Sequence, residues 1–339
     1  MRQGSDIEIS EVPDPKAGPG PDPASKPVRK GRTPRRRGRH SQYPFIIGFL
    51  AAPVLLYAVF VIGPYLQAFQ IALTDWRGLK APNYVGFDNF KALFENDAFI
   101  SALWHHLWIL IALPLATLAI ALFFSFLLNA GGKGKGGGTG GVRGSSFYKV
   151  VFFLPQVLAV AIVGVLFQSV YRPNSSGMVN GLLDKVGIAP VQWLNDPDLA
   201  LWSIIAVVVW QSVGFYVVLF SAGMASIPKE LFEAAALDGA GRFTLFFRVT
   251  LPLLWDTLQV GWVYLGIIAF DMFAIVQVLS VDRGGPDNST TVVALEIYRN
   301  AFTYSKFGYA SAMGVVLFFM TITFAALTLR VTRRERIEF

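Results

Sequence analysis

The chain has 339 residues, of which 54% are hydrophobic and 15% are charged, and its formal net charge is +7. A soluble domain of average composition carries about 25% charged residues, so this chain lacks the polar surface that covers a water-soluble protein of its size. The absence of cysteine excludes a disulfide framework, a thiolate nucleophile and a cysteine-based metal site, and three histidines supply metal or Ser-His chemistry poorly.

Residues 1–44 form a polar tail. Proline and glycine are frequent throughout it, and this composition favours disorder. Eight basic residues without an acidic one lie between Lys26 and Arg39. Such a run beside a first membrane span is typical of a cytoplasmic topology anchor, and added attraction to anionic lipid is compatible with that role. Nucleic-acid binding is disfavoured because no aromatic residues interleave the charges.

Six stretches of the chain are long and apolar enough to cross a membrane as helices, which requires about 20 residues. One of them contains Asp271, and the others contain no charged residue. Because the apolar runs are continuous rather than alternating, they favour helices over the strands of a membrane barrel. The predicted spans are 45–69, 107–129, 150–171, 199–227, 257–281 and 307–329. The sequence therefore predicts an all-α integral membrane protein with one six-span domain over residues 45–333.

The basic residues predict the orientation of these spans. If the N-terminus is in the cytoplasm, the inner segments carry 21 Lys and Arg and the outer segments carry 8. Without the tail the inner segments still carry 11. Because basic residues accumulate on the cytoplasmic side, we expect both termini there, including the last residues 334–339.

A glycine-rich segment, 131–144, lies on the predicted inner side between spans two and three. We considered it as a phosphate-binding loop, because Gly132-Lys133 and Gly134-Lys135 place lysine after glycine. Each lysine is followed by glycine and never by Ser or Thr, and no strand precedes the segment, so the P-loop pattern is not met. The segment is predicted to be a flexible linker, and any ATP used by this protein must be bound by another chain.

The inner loop between spans four and five, 228–254, predicts a short helix. Pro228 suits a first helical position, and Glu230 lies in the first turn, where the helix dipole favours an anion. The run 233–237 consists of strong helix formers, and Gly239 is a natural left-handed terminator. Such a helix on the cytoplasmic face either docks into a soluble motor protein as a coupling lever or rests on lipid headgroups. The residues alone leave both possibilities open.

The motif Glu233-Ala-Ala, with Gly239 six residues after the glutamate and Leu251-Pro252 further on, resembles the EAA loop of ABC-type importer permeases. More narrowly, the chain from about Pro44 to Arg333 is similar to the binding-protein-dependent sugar permeases of the maltose and glycerol-phosphate type. Further matching stretches are Val85-Gly-Phe-Asp-Asn89, Phe152-Phe-Leu-Pro155, Trp193-Leu194, Gly284-Gly-Pro286 and Phe307-Gly-Tyr-Ala-Ser-Ala312. The resemblance implies a type I importer permease of the cell membrane that passes a sugar inward by alternating access.

The same resemblance implies roles for residues of the inner loop. Glu233, Ala234 and Gly239 match the positions of the helix that couples the permease to an ATPase subunit. Arg242 and Leu251-Pro252 are expected to support that helix. The chain is then a transport subunit without enzymatic activity or cofactor of its own. The expected partners are a second homologous permease, two ABC ATPase subunits and an extracellular solute-binding protein.

Polar residues inside the spans are candidates for the translocation path. Asp271 either lines the path and accepts hydrogen bonds from sugar hydroxyls or pairs with a group on a neighbouring helix or subunit. Gln277 lies about 240° further around a regular helix, so the two share a face only if the helix is broken. Gln211, Ser212 and Tyr216 in span four offer hydrogen-bonding groups and a ring to a sugar, or hold helices together. His105 and His106 are predicted to be ordinary interface residues.

The few polar residues of the spans also bear on the substrate and on two alternative functions. A neutral sugar is expected because the spans lack the basic residues that an anion requires. The family resemblance favours an amino sugar such as N-acetylglucosamine or chitobiose. An ion-coupled secondary transporter or channel would need several buried ionisable residues, and the spans offer only Asp271. A membrane enzyme would need clustered His, Asp, Glu or Cys, which the spans lack.

Overall fold

The computed structural model describes residues 43–130, 132–133 and 139–331. The predicted tail up to residue 42, the middle of the glycine-rich segment and the residues 334–339 therefore lie outside the described residues. In the described part the regular structure is helical, except for a short antiparallel pair formed by β1 (Gly132–Lys133) and β2 (Thr139–Gly140). The predicted all-α fold class is thus confirmed.

Fifteen α-helices are present in the described residues. They are α1 (Tyr43–Tyr57), α2 (Gly63–Ala72), α3 (Asp88–Phe94), α4 (Asp97–Ala130), α5 (Ser145–Val157), α6 (Val160–Val170), α7 (Met178–Lys185), α8 (Pro197–Ala225), α9 (Lys229–Leu237), α10 (Arg242–Leu245), α11 (Leu251–Leu253), α12 (Trp255–Phe270), α13 (Phe273–Leu279), α14 (Val293–Tyr298) and α15 (Phe307–Val331). Wider π-helical turns occupy Ala58–Ile62, Phe246–Thr250 and Arg299–Thr303, and 3-10 turns occupy Val281–Arg283 and Pro286–Asn288.

The chain divides into two compact units, Met1–Leu56 and Tyr57–Phe339. In the described part, the first unit contributes only apolar helical residues, among which Phe45 and Phe49 stack one turn apart with ring centroids separated by 6.3 Å. The second unit contains all the elements that concern function below.

Within the described ranges, four helical segments are long and apolar enough to span a membrane without a sharp bend, namely Tyr43–Ala72, Asp97–Asn129, Pro197–Ala225 and Phe307–Val331. Two further pairs of helices qualify only as bent spans: α5 with α6 meets at 97°, and the segment Arg242–Leu253 meets α12 at 70°. Each of these segments overlaps one of the six predicted stretches, although the fifth ends at Phe270 and so covers only the first half of the predicted span 257–281. The sequence did not predict the bends.

Helix α8 forms the centre of the second unit. Of its 29 residues, 17 are buried within this chain, and a stripe that includes Trp202, Ala206 and Trp210 stays exposed. Gly214 allows α8 to cross close to α5, because a Cβ atom there would collide with the backbone carbonyl oxygen of Phe152. Glycine at position 214 therefore lets the backbones of α5 and α8 approach each other closely.

Two of the family-like stretches stabilise the segments between spans. Asn89 donates from its side-chain amide to the carbonyl oxygens of Ala72 and Thr74, both at 2.8 Å, and so ties α3 to the end of α2. The indole of Trp193 donates to Asn180 Oδ1 at 3.1 Å. Both contacts satisfy loop backbone or buried polar groups, which accounts for these residue types without assigning them a role in transport.

Candidate coupling loop and translocation site

The residues at the two ends of helix α9 define where it begins and stops. Pro228 precedes it with φ −55° and an extended ψ of 133°, and its carbonyl accepts the N–H of Leu231 at 3.2 Å. At the other end, Gly239 adopts φ +76°. The N–H of Ala240 reaches the carbonyl of Ala235 at 2.9 Å, and that of Gly239 reaches Ala236 at 3.1 Å. This is a Schellman termination, which fixes a short helix that would be marginal in isolation.

The outward side of α9 is exposed in this chain. Glu233 and Ala234 are exposed, and within the described residues the Glu233 carboxylate has no hydrogen-bond or ion-pair partner. Phe232 faces inward and packs against the core. Leu237 is 90% exposed and Phe243, just beyond the helix, is 82% exposed. Large apolar side chains presented next to an unpaired carboxylate are typical of a surface that another protein covers.

Arg242, Leu251 and Pro252 lie in the segment that joins α9 to span five. Arg242 opens α10 and is exposed, so its guanidinium is available to a partner. The N–H of Leu251 bonds to the carbonyl of Phe246, which is the wide π-helical spacing. Pro252 has no N–H to continue the ladder, and the following bend of 70° leads into α12. Leu251 packs on the core, so this elbow anchors the loop.

Span five is broken at Asp271. Helix α12 ends at Phe270, Asp271 has φ −104° and ψ 46°, and α13 restarts at Phe273. The N–H of Asp271 is shared between the carbonyls of Ile267 and Ile268 at 3.2 and 2.9 Å, while its side chain is exposed. The fixed angle between Asp271 and Gln277 therefore does not apply, because the regular helix stops between them.

Gln277 lies in α13, on the other side of the break, and is half-buried. Its Oε1 is buried and accepts no hydrogen bond from the described residues. An unpaired buried amide oxygen is costly and is a natural acceptor for a hydroxyl or amide that enters the site. The carboxylate and this oxygen are thus polar groups on the two sides of one break.

Gln211, Ser212 and Tyr216 lie in the interior of the chain instead. Gln211 is 7% exposed and its Nε2 donates at 3.1 Å to the carbonyl of Leu158, which ends α5 at the bend of span three. Tyr216 is 1% exposed and its hydroxyl has no partner in the described part. For Gln211 the geometry supports helix packing, one of the two roles that the sequence left open, because its amide satisfies a carbonyl that the bend exposes.

His106 is fully buried, and the prediction that it is an ordinary interface residue is wrong. Its Nδ1 lies 3.2 Å from the carbonyl oxygen of Ala269, and its Nε2 accepts the N–H of Val293 at 3.1 Å. The neighbouring His105 lies with Nδ1 2.7 Å from the carbonyl of Thr291. The feature of the sequence that could have indicated these contacts is a pair of adjacent polar residues at the edge of a long apolar run.

The loop with Gly284-Gly285-Pro286 follows α13 and is held by Arg299, which the sequence did not single out. Arg299 pairs with Glu296 at 2.7 Å, and Glu296 is buried. The same guanidinium donates to the carbonyl of Arg283 and, at 3.3 Å, to Asn288 Oδ1. One cation therefore fixes both arms of the turn that leads from span five to α14.

A polar cavity of 350 Å³ lies between the segment after α2 and the start of α15. It is lined by Asp75, Trp76, Arg77, Asn89, Ala92, Asn96, Asn300, Lys306 and Tyr309. The side chain and the backbone N–H of Asn83 donate to Asp75 at 3.0 and 2.7 Å, and these bonds hold the pKa of its carboxyl below the usual 3.8. Asp75 is thus an anion that braces the loop.

An apolar groove of 880 Å³ lies beside the break in span five. It is lined by side chains from α2, α3, α4, α12 and α15, which include Phe69, Phe270 and Phe324. The walls are almost wholly apolar, and Asp271, which follows Phe270 in the sequence, is not one of the described residues that line the groove.

Comparison with known protein families shows which family has this loop and these spans. Residues 109–337 match the family model of the binding-protein-dependent transport system inner membrane component. The chain belongs to this family. It is therefore the membrane-embedded permease of an ABC importer, a transport subunit rather than an enzyme.

Sequence alignments with relatives cover most of this permease. It is 41% identical to the diacetylchitobiose uptake system permease protein of Streptomyces coelicolor, over 92% of this chain and 88% of that protein. It is 33% identical to a probable ABC transporter permease protein of Bacillus subtilis, over 81% of this chain and 83% of that protein. The match includes the predicted coupling loop.

Solved structures show the same fold. The permease superposes on a chain of the crystal structure of a bacterial alginate ABC transporter in complex with an alginate pentasaccharide-bound periplasmic protein. The TM-score is 0.72 at 22% identity, and the match covers 87% of this chain and 96% of that chain. Among the described residues of the permease no group of His, Asp or Glu is placed to hold a metal ion.

Proposed function

We propose that this permease imports a sugar, and that helix α9 transmits the work of a separate ATPase to the spans. The observation that carries the proposal is the exposed, pre-formed α9 with an unpaired Glu233 and apolar neighbours on one surface. Its Schellman end defines a short regular helix, and the segment 238–254, with the elbow at Leu251-Pro252, joins that helix to span five. A stiff helix can transmit rotation, whereas a flexible loop would absorb it.

The proposed organisation follows from this assignment. The six-span domain covers residues 45–333, the coupling loop covers 228–254, and both the tail and the residues 334–339 are cytoplasmic. The partners are a second homologous permease, two ABC ATPase subunits and an extracellular solute-binding protein. The excess of basic residues in the segments assigned to the inside supports the orientation.

The substrate class is proposed from the relatives and the spans together. The name of the Streptomyces coelicolor relative specifies diacetylchitobiose, and the 41% identity over most of both chains favours a substrate of that kind. The path itself offers hydroxyl- and amide-binding groups rather than fixed cations. We therefore propose a neutral sugar, with N-acetylglucosamine or its disaccharide as the first to test.

Within the spans, the proposed path runs past the break at Asp271. Two polar groups of span five support this path, namely the exposed carboxylate of Asp271 and the buried Oε1 of Gln277, which has no partner among the described residues. An apolar groove is lined by Phe270, the residue that precedes Asp271. Gln211, Ser212 and Tyr216 are buried in α8, and we propose that they hold helices together and do not line the path.

The decisive experiment changes Glu233 in the assembled importer, reconstituted in liposomes with its partner permease, ATPase and binding protein. Glu233→Lys reverses the charge of the exposed surface and is expected to abolish ATPase stimulation by sugar-loaded binding protein. Glu233→Gln, which keeps the shape, serves as the matched control and is expected to retain part of the stimulation. Both variants should insert and assemble. Full stimulation of the Lys variant would refute the coupling role of α9.

A further inference from the structure

The break in span five leaves backbone groups that need partners. The last carbonyls of a helix and its first N–H groups have no partner within the helix. Here the carbonyl of Ala269 belongs to the last turn of α12, and the N–H of Val293 belongs to the first residue of α14. In a membrane, where water is scarce, such groups must be satisfied by protein.

One imidazole satisfies both groups. His106 Nδ1 lies 3.2 Å from the oxygen of Ala269, and the N–H of Val293 donates to His106 Nε2 at 3.1 Å. Because the first partner is an acceptor and the second is a donor, the ring must be neutral with its proton on Nδ1. The ring is fully buried, and the ring of Phe270 packs against it with a centroid separation of 5.4 Å.

These contacts join three parts of the chain that are distant in sequence. His106 is on α4, Ala269 lies two residues before Asp271, and Val293 follows the Gly284-Gly285-Pro286 loop. Sliding α12 along its axis or displacing the start of α14 would leave the ring with an unpaired nitrogen, and would leave a backbone group unpaired as well. The buried ring therefore opposes movement at both places.

We propose that His106 is a positioning residue that fixes the break of span five, and with it the location of the Asp271 carboxylate, relative to α4 and α14. The proposal rests on the proposed path past Asp271 for its effect on transport. Its structural part, the stabilisation of the break, stands on the His106 contacts alone.

Two substitutions separate the two hydrogen bonds. Asparagine places a nitrogen donor where Nδ1 lies, so His106→Asn is designed to keep the bond to Ala269. Glutamine places an acceptor where Nε2 lies, so His106→Gln is designed to keep the bond to Val293 and to lose the bond to the break. His106→Leu loses both. His105→Leu is the neighbouring control, because His105 contacts Thr291 and not span five.

The direct readout is hydrogen–deuterium exchange of the peptide that covers residues 267–276, measured on the assembled importer in nanodiscs. Exchange at the break should accelerate about fivefold or more in His106→Gln and His106→Leu, the factor expected for the loss of one buried hydrogen bond. It should change less than twofold in His106→Asn and His105→Leu. Equal exchange in the Asn and Gln variants, or unchanged exchange in both Gln and Leu variants, would overturn the proposal.

Transport provides the second readout. His106→Gln should raise the KM for sugar-loaded binding protein or lower the uptake rate. In an Asp271→Asn background, the same substitution should change either quantity less than twofold further. If the two effects multiply independently, His106 does not act through Asp271. If Asp271→Asn alone transports normally while the exchange results hold, the proposed path fails and the positioning of the break by His106 survives. The Asn and Gln variants keep a polar side chain of similar size, so the comparison does not depend on the Leu variant folding.

Discussion

Asp271 shows how one carboxylate is accommodated within an apolar span. A charged group in the middle of a regular membrane helix is costly, and it is tolerated where it faces water or a partner. Here the carboxylate is exposed on the surface of the chain at a helix break, and its backbone N–H caps the end of α12. The backbone and the side chain of this residue therefore have separate tasks, and substitution of the side chain alone should leave the break intact.

We expect Asp271→Asn to lower the rate of sugar uptake while the importer still assembles, because the amide keeps the shape and loses the charged acceptor. Uptake in proteoliposomes and the elution of the complex in size-exclusion chromatography measure the two properties separately. Dissociation of the partner permease would show that Asp271 pairs with a neighbouring subunit instead of lining the path.

Gly239 is the residue on which the length of α9 depends. Its φ of +76° is unfavourable for a residue with a Cβ, at a cost of about 1–2 kcal/mol, although a Cβ there would meet no atom within 4 Å. Gly239→Ala should therefore weaken the helix end through backbone strain and reduce sugar-stimulated ATPase activity.

Gly241→Ala is the matched control for this substitution. Gly241 also has open space around it, and its φ of −71° suits any residue. ATPase assays on both variants separate backbone strain from a simple gain of volume. Equal activities in the two variants would show that the left-handed turn does not limit coupling.

Among the helices, the two bent spans place special demands on their neighbours, because a bend leaves backbone groups without partners. Span three bends by 97° between Val157 and Val160, where Leu158 and Ala159 are extended. Pro155 lacks an N–H and weakens the helix just before this point. The carbonyl that the bend exposes on Leu158 is satisfied from α8 by Gln211. A bend in one helix thus requires a polar side chain on another.

Gln211→Leu should destabilise the assembled permease by about 1–3 kcal/mol, because the buried carbonyl of Leu158 would lose its partner. The uptake rate per folded complex should remain close to that of the wild type. Thermal unfolding of the importer measures the first effect, and Ser212→Ala, for which the described residues show no hydrogen bond to lose, is the neighbouring control. A selective loss of sugar affinity with normal stability would place Gln211 on the path.

At the scale of the whole permease, the proposed coupling surface and the proposed sugar path lie at opposite ends of one helix. The exposed α9 lies on the loop that enters span five, and the break at Asp271 lies at the other end of α12. A single helix of 16 residues therefore connects the coupling loop to the proposed path. If both proposals hold, α12 is the element through which a separate ATPase would act on the sugar site.

We expect liposomes that contain both permeases and the binding protein without the ATPase to accumulate no sugar, because the chain holds no nucleotide site of its own in the described residues or in its motifs. Uptake of labelled sugar against a gradient is the measurement, and the complete importer is the positive control. Accumulation driven by a proton or sodium gradient would favour an ion-coupled transporter instead.

The long apolar runs were sufficient to predict the fold class, because a bilayer demands about 20 apolar residues for each helix. The short helix of the inner loop could be predicted equally well, since Pro228, the run after Glu233 and Gly239 act on the backbone beside them. The hydrogen bonds of His106 and Gln211 could not be predicted from the sequence. They join residues 163, 187 and 53 positions apart, and depend on where spans bend and how helices then pack. A local pattern shows that a polar residue lies in an apolar run, whereas only the packed helices supply the backbone group that it meets.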